Sequence, residues 1–142
     1  MKLYLAMWSR GIKSCDVTPE DMQANKLYAQ GIAKQLRSLL EPYHEIVSPH
    51  EDTLLDRIDD LWLHTRDCRL VPMAMDRCFD LLKDCQGIIL LHRGYVSEGM
   101  ASEESYAEVK GMFIYKEHDL TDEVKEDLVL ALNEFELASE QE

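Results

Sequence analysis

Four short, mostly apolar runs punctuate the chain, and each gives way to a stretch with helical spacing: KLYLA (2–6), HEIVSP (44–49), GIILLH (87–92) and MFIY (112–115). Strands with one solvated face alternate apolar and polar residues, whereas runs this continuous belong to strands buried on both faces. Parallel neighbours are reached only through a crossover, usually a helix, so strands alternating with helices imply a parallel sheet.

The intervening segments supply those crossovers. Residues 18–40 open with Thr18 at the N-cap, Pro19 at the first helical position, and Glu20 and Asp21 against the positive helix start. Leu27, Ile32, Leu36, Leu39 and Leu40 then recur at helical spacing. Residues 72–85 begin at Pro72 and turn Leu81, Leu82 and Cys85 inward; SEESYAEVKG (102–111) ends at a glycine; residues 121–138 close the chain under a Thr121 cap. Residues 51–71, with DTLLDRIDDLWLH, have helical periodicity and no evident partner, which reads as an inserted helix or lid. The expectation is α/β: one domain over residues 1–142, a Rossmann/flavodoxin-like three-layer fold with a four- to five-stranded parallel sheet. Ligands in such folds sit at the carboxyl ends of the strands, at a topological switch point. Residues 7–15 and 93–102 are therefore expected side by side.

Composition narrows the partners. A chain of 142 residues fits one core. Its net charge of -13 opposes binding to a nucleic-acid polymer, though a local pocket can still be positive. No apolar run approaches the roughly 20 residues that span a bilayer, so no membrane is expected. MKLYLAMW is interrupted too soon, by Ser9 and Arg10, for a signal peptide. Cys15, Cys68, Cys78 and Cys85 form no CxxC pair and read as free thiols of a cytoplasmic protein. None of the five histidines has a spacing that demands a metal, and neither metal nor cofactor is expected.

GYVSEGMASEE (94–104) carries the chemistry worth weighing. Gly94 and Gly99 permit tight turns and close approach to a ligand. Ser97 and Ser102 each suit the N-cap of the following helix, whose free N–H groups favour an anion. The same residues also read as a plain capping sequence whose glutamates complement the helix dipole. Arg10 reads equally as a solvated loop charge, Tyr95 as a surface aromatic or a stacking platform, and Asp76, Asp80 and Asp84 as the wet face of a helix.

The order of YLAMWSRG, HEIVSPH, LLKDCQGIIL and GYVSEGMASEESYAEVKG resembles the nucleoside 2-deoxyribosyltransferase-like superfamily, which includes the 2′-deoxynucleoside 5′-phosphate N-hydrolases and related small phage and bacterial proteins. The resemblance spans most of residues 2–115, and its most specific element is the spacing Ser97, Gly99, Glu103, Gly111. It implies that Glu103 is the nucleophile at the anomeric carbon of a nucleoside or nucleotide. Ser97 and the helix start would then hold the 5′ end, together with Arg10 and Ser9. It also implies a carboxylate reaching the base from the helix before the third strand. Cys78 aligns there, with Asp76 a near match and Asp80 a second candidate. Met7-Trp8 stand where relatives often have Gly-Pro, Gln86 stands where they usually have Asp, and the loop between Gly94 and Ser97 is one residue shorter than in many of them. Relatives are typically homodimers or larger homo-oligomers.

Overall fold

The computed structural model describes residues 1–141. In chain order the elements are β1 (Lys2–Ala6), α1 (Pro19–Leu40), β2 (Glu45–Val47), α2 (Thr53–Thr65), α3 (Leu70–Leu82), β3 (Gly87–Leu91), α4 (Glu98–Val109), β4 (Phe113–Glu117) and α5 (Asp122–Glu140), with short 3-10 turns over Gly11–Asp16 and Pro49–Glu51. Four strands form one parallel sheet in the order β2-β1-β3-β4. The fold is a three-layer α/β architecture of the Rossmann/flavodoxin type, and no fifth strand occurs among the described residues.

The pleat sorts the core. Leu3, Leu5, Ile89, Leu91, Phe113 and Tyr115 face α1 and α5, meeting Ile32, Leu36, Leu128 and Leu132. Tyr4, Ala6, Ile88 and Leu90 face α3 and α4, meeting Leu82, Cys85, Met100 and Ala107. Every residue of β3 is buried, as its unbroken apolar run requires. Gly87 opens β3 because a Cβ there would lie 2.6 Å from Leu3 Cδ2 and 3.1 Å from Phe113 Cβ.

Several boundaries move. Thr18 and Thr121 cap as expected, their hydroxyls accepting from Asp21 N and Val124 N at 3.1 and 3.2 Å. β2 keeps only three residues, since Pro49 already belongs to a 3-10 turn. α3 begins at Leu70, placing Pro72 in its first turn, and ends at Leu82 rather than at residue 85. α4 starts four residues before Ser102, because Ser97 is the residue whose side chain caps it.

The 51–71 segment, without an evident partner in the sequence, has one in the fold. α2 presents Ile58 and Trp62 to Val17, Met22 and Leu70, forming a small core separate from the two faces of the sheet. Asp52 caps α2 through Leu55 N at 3.0 Å and also pairs with Arg77 of α3, 2.8 Å from Nη2, tying the two helices together. Among the described residues no helix is long and apolar enough to cross a membrane.

Candidate active site

The chain runs from β1 out to β2 and returns past β1 to β3, so the strand order reverses between β1 and β3. The two loops leaving those strands diverge there and leave a crevice. A cleft of about 370 Å³ occupies this position, walled by the first loop, α2, α3 and the start of α4. Its volume falls within the range of about 300–1,000 Å³ typical of small-molecule sites.

Of the residues singled out in the sequence, Ser9, Arg10, Tyr95, Ser97, Gly99 and Glu103 all line this cleft. Asp76 and Asp80 do not. Both are exposed on α3, and Asp80 lies 3.4 Å from Lys83. Successive helical residues turn by about 100°, so positions two before and two after the inward Cys78 point away from the cleft. Cys78 itself lines it.

Glu103 stands one turn into α4 and is only 7% exposed. One carboxylate oxygen, Oε2, is buried with no hydrogen-bond partner. Burial pushes its pKa up to about 7, while a hydrogen bond from the Tyr4 hydroxyl pulls it back. Tyr4 reaches it from the middle of β1, where the pleat directs alternate residues to the α3–α4 face. Burial and the Glu103 charge hold the Tyr4 phenol protonated, well above its usual range. Desolvation and the same carboxylate push the Cys78 thiol up to about 12, so it stays a neutral thiol. Glu104 points elsewhere and pairs with Lys116 of β4 at 3.0 Å.

At the mouth of α4, the Ser97 Oγ accepts from Met100 N at 3.2 Å, which leaves its proton free to donate. The N–H groups of the first helical turn have no intrahelical acceptors, and Gly99 there adds no side chain between backbone and ligand. Gly94 takes a φ of 87°, reversing the chain after β3, and Tyr95 N closes the turn on the His92 carbonyl at 2.9 Å.

The first loop is braced on several sides. Ser9 Oγ meets His50 Nε2 at 3.2 Å, and its carbonyl accepts from Asn25 Nδ2 at 2.7 Å. Trp8 Nε1 donates to the His92 carbonyl at 2.7 Å, joining the loops after β1 and β3. Gly11, at φ 68°, lies so close to the Trp8 ring that a Cβ would approach it to 3.1 Å. The Arg10 guanidinium lies 5.2 Å from the centre of the Trp62 ring, and Arg66 lies 4.6 Å from the same ring. Arg66 also donates to the carbonyls of Cys15 and Val17 at 3.1 and 2.9 Å, clamping the loop to α2.

Tyr4, His50, Asp59 and Trp62 were missed as cleft residues. His50 has its Nδ1 buried without a partner, and burial lowers its pKa to about 4, so the ring is neutral at pH 7. Asp59 is a second cleft carboxylate, raised to about 6 by burial against the pull of Arg10 and Lys26. One signal pointed to it: an acid falls within the inward stripe of Leu55, Ile58 and Trp62. The cleft as a whole is acidic, with Asp56, Asp59, Asp60, Glu98 and Glu103 facing only Arg10 and Lys26, and Lys26 is already paired with Asp56.

All four cysteines are free thiols, Cys15 and Cys68 exposed and Cys85 buried under α3. Among the described residues no group of three or more His, Cys, Asp or Glu is arranged to hold a metal ion. Compared with protein-family models, curated proteins and solved structures, the chain matches none.

Proposed function

We propose that the protein cleaves or transfers the N-glycosidic bond of a nucleoside or nucleoside 5′-monophosphate, with Glu103 as nucleophile. The observation that carries this reading is the buried Glu103 carboxylate, with Oε2 unpartnered in a ligand-sized cleft and Tyr4 hydrogen-bonded beside it. Breaking the bond between the anomeric carbon and the base nitrogen passes through an oxocarbenium-like state. A desolvated carboxylate at that carbon stabilises the growing positive charge and then bonds to it, giving a glycosyl ester. The electron pair of the broken bond leaves on the base, which takes up a proton from solvent, and the water or base that later attacks gives one back. Attack of water on the ester returns the free sugar and Glu103; attack of another base returns a new nucleoside. Tyr4 orients the carboxylate, and Arg10 with the start of α4 faces the 5′ end. Glu103 must be ionised to attack, so kcat/KM rises with pH through about 7 on this group's account.

A second reading is a nucleotide-binding or sequestering protein without turnover. It is favoured by Cys78 at the position from which a carboxylate would serve the base, and by the outward placement of Asp76 and Asp80. Incubation with a panel of nucleosides and 5′-monophosphates, followed by chromatography for free base, separates the two. Base release supports the first reading; binding without release of base from any member supports the second.

A further inference from the structure

We propose that Asp59, carried into the cleft by α2, selects the charge of the ligand's 5′ end: as a carboxylate facing Arg10 it disfavours an anionic 5′ group, and as a neutral acid it admits one. The inference rests on the nucleoside or nucleotide reading of this cleft and goes beyond it by naming the residue that decides between the two.

Three observations meet at this point. Arg10 is the cleft cation free to grip an anion, since Lys26 is bound to Asp56, and among the described residues the Arg10 guanidinium makes no hydrogen bond or ion pair. It is held by stacking on Trp62, three residues along α2 from Asp59, so both charges stand on the same wall. Asp59 is close enough to feel Arg10, yet among the described residues it forms no ion pair and no side-chain hydrogen bond. An anion gripped by Arg10 therefore meets a partly desolvated carboxylate on the same wall. Like charges in such surroundings repel strongly unless one is neutralised.

The groups facing Asp59 set the direction. Arg10 from the first loop and Lys26 from α1 favour its ionised form, while Asp56 on α2 and burial oppose it. Cys78 of α3 feels the charge of both Asp59 and Glu103 of α4 and remains neutral. Burial sets Asp59 at about 6. A bound anion raises that value further, so anion binding draws a proton onto Asp59 and weakens as pH rises above about 6. An uncharged 5′-hydroxyl has no such penalty. Glu103, at about 7, titrates in the same range and also repels an anion, so the share of the pH dependence that belongs to Asp59 is the share that Asp59→Asn removes.

The test uses carbocyclic 2′-deoxynucleosides, which have no glycosidic bond to cleave, and their 5′-sulfates, whose charge is constant across the range. The four bases are screened and dissociation constants are measured by calorimetry from pH 6 to 8. For wild type, the ratio of the sulfate's dissociation constant to the nucleoside's should rise with pH, by up to about tenfold per unit. In Asp59→Asn it should be lower and rise less steeply, with only the Glu103 titration left, while Asp76→Asn, which removes a charge outside the cleft, keeps the wild-type slope. A flat wild-type ratio, or the same slope in Asp59→Asn, overturns the role of Asp59 and leaves the nucleoside reading standing. Binding of neither probe with any base overturns both.

Discussion

A carboxylate buried as deeply as Glu103 weakens the fold that holds it, because its charged form has lost water and regained only the Tyr4 hydroxyl. The sign follows from the shift. An acid whose folded pKa rises from 4.5 to about 7 binds its proton more tightly when folded, so stability falls as pH rises through that interval. Glu103→Gln should therefore be more stable than wild type at pH 8, on the order of 3 kcal/mol, with the difference shrinking toward pH 4.5. Urea unfolding at the two pH values measures this; no gain at pH 8 would mean that the carboxylate is better solvated than its setting implies. Arg10→Ala should weaken a bound 5′-monophosphate at least tenfold more than the matching nucleoside below pH 6, and equal losses would show that Arg10 does not meet the phosphate. The motif spacing of the family resemblance selected Glu103 over Glu104, and the structure turns Glu103 into the cleft and Glu104 toward Lys116, adjacent helical residues lying about 100° apart. Spacing could not reveal Tyr4, since a tyrosine in an apolar strand looks like ordinary core. Nor could it exclude Asp76 and Asp80, whose direction depends on which residue of α3 faces in.

The elements were easier to read than their ends. Strands announced themselves by continuous apolar runs, and α1 and α5 by Thr caps with acidic first turns. The start of α4 was ambiguous because Ser97 and Ser102 satisfy the same capping chemistry, and only the chain path out of β3 chooses between them. α2 was the hardest, because its inner face packs on a satellite core drawn from the first loop, α1 and α3, which no local pattern predicts. Its role is to wall the cleft and brace Arg10 through Trp62, which is 6% exposed. Trp62→Ala should lower unfolding stability by about 3–5 kcal/mol, and at permissive temperature weaken binding of an anionic ligand more than a neutral one. A loss under about 1 kcal/mol would mean that α2 moves freely over the cleft rather than forming its wall.

At the scale of the whole molecule, strand order makes the site. Because β1 and β3 are neighbours while β2 lies beyond β1, the first loop and the start of α4 open toward one crevice, and residues 90 positions apart share it. The alternation of strands and helices made this convergence legible, whereas the acidic balance of the cleft depends on α2 and emerged only in three dimensions. The measurement that bears most directly on the role of Glu103 is the rate of free-base release by Glu103→Gln beside Glu104→Gln, on whichever substrate wild type turns over. Both remove one carboxylate from α4, but Glu103 faces the cleft and Glu104 pairs with Lys116 on β4. Glu103→Gln should lose on the order of a thousandfold or more in kcat with little change in ligand affinity, as expected when the lost interaction is made mainly in the transition state. Glu104→Gln should stay within about twofold of wild type, since an exposed pair contributes at most about 1 kcal/mol to folding. Equal losses in the two variants, or full activity in Glu103→Gln, would contradict the assignment of Glu103 as nucleophile.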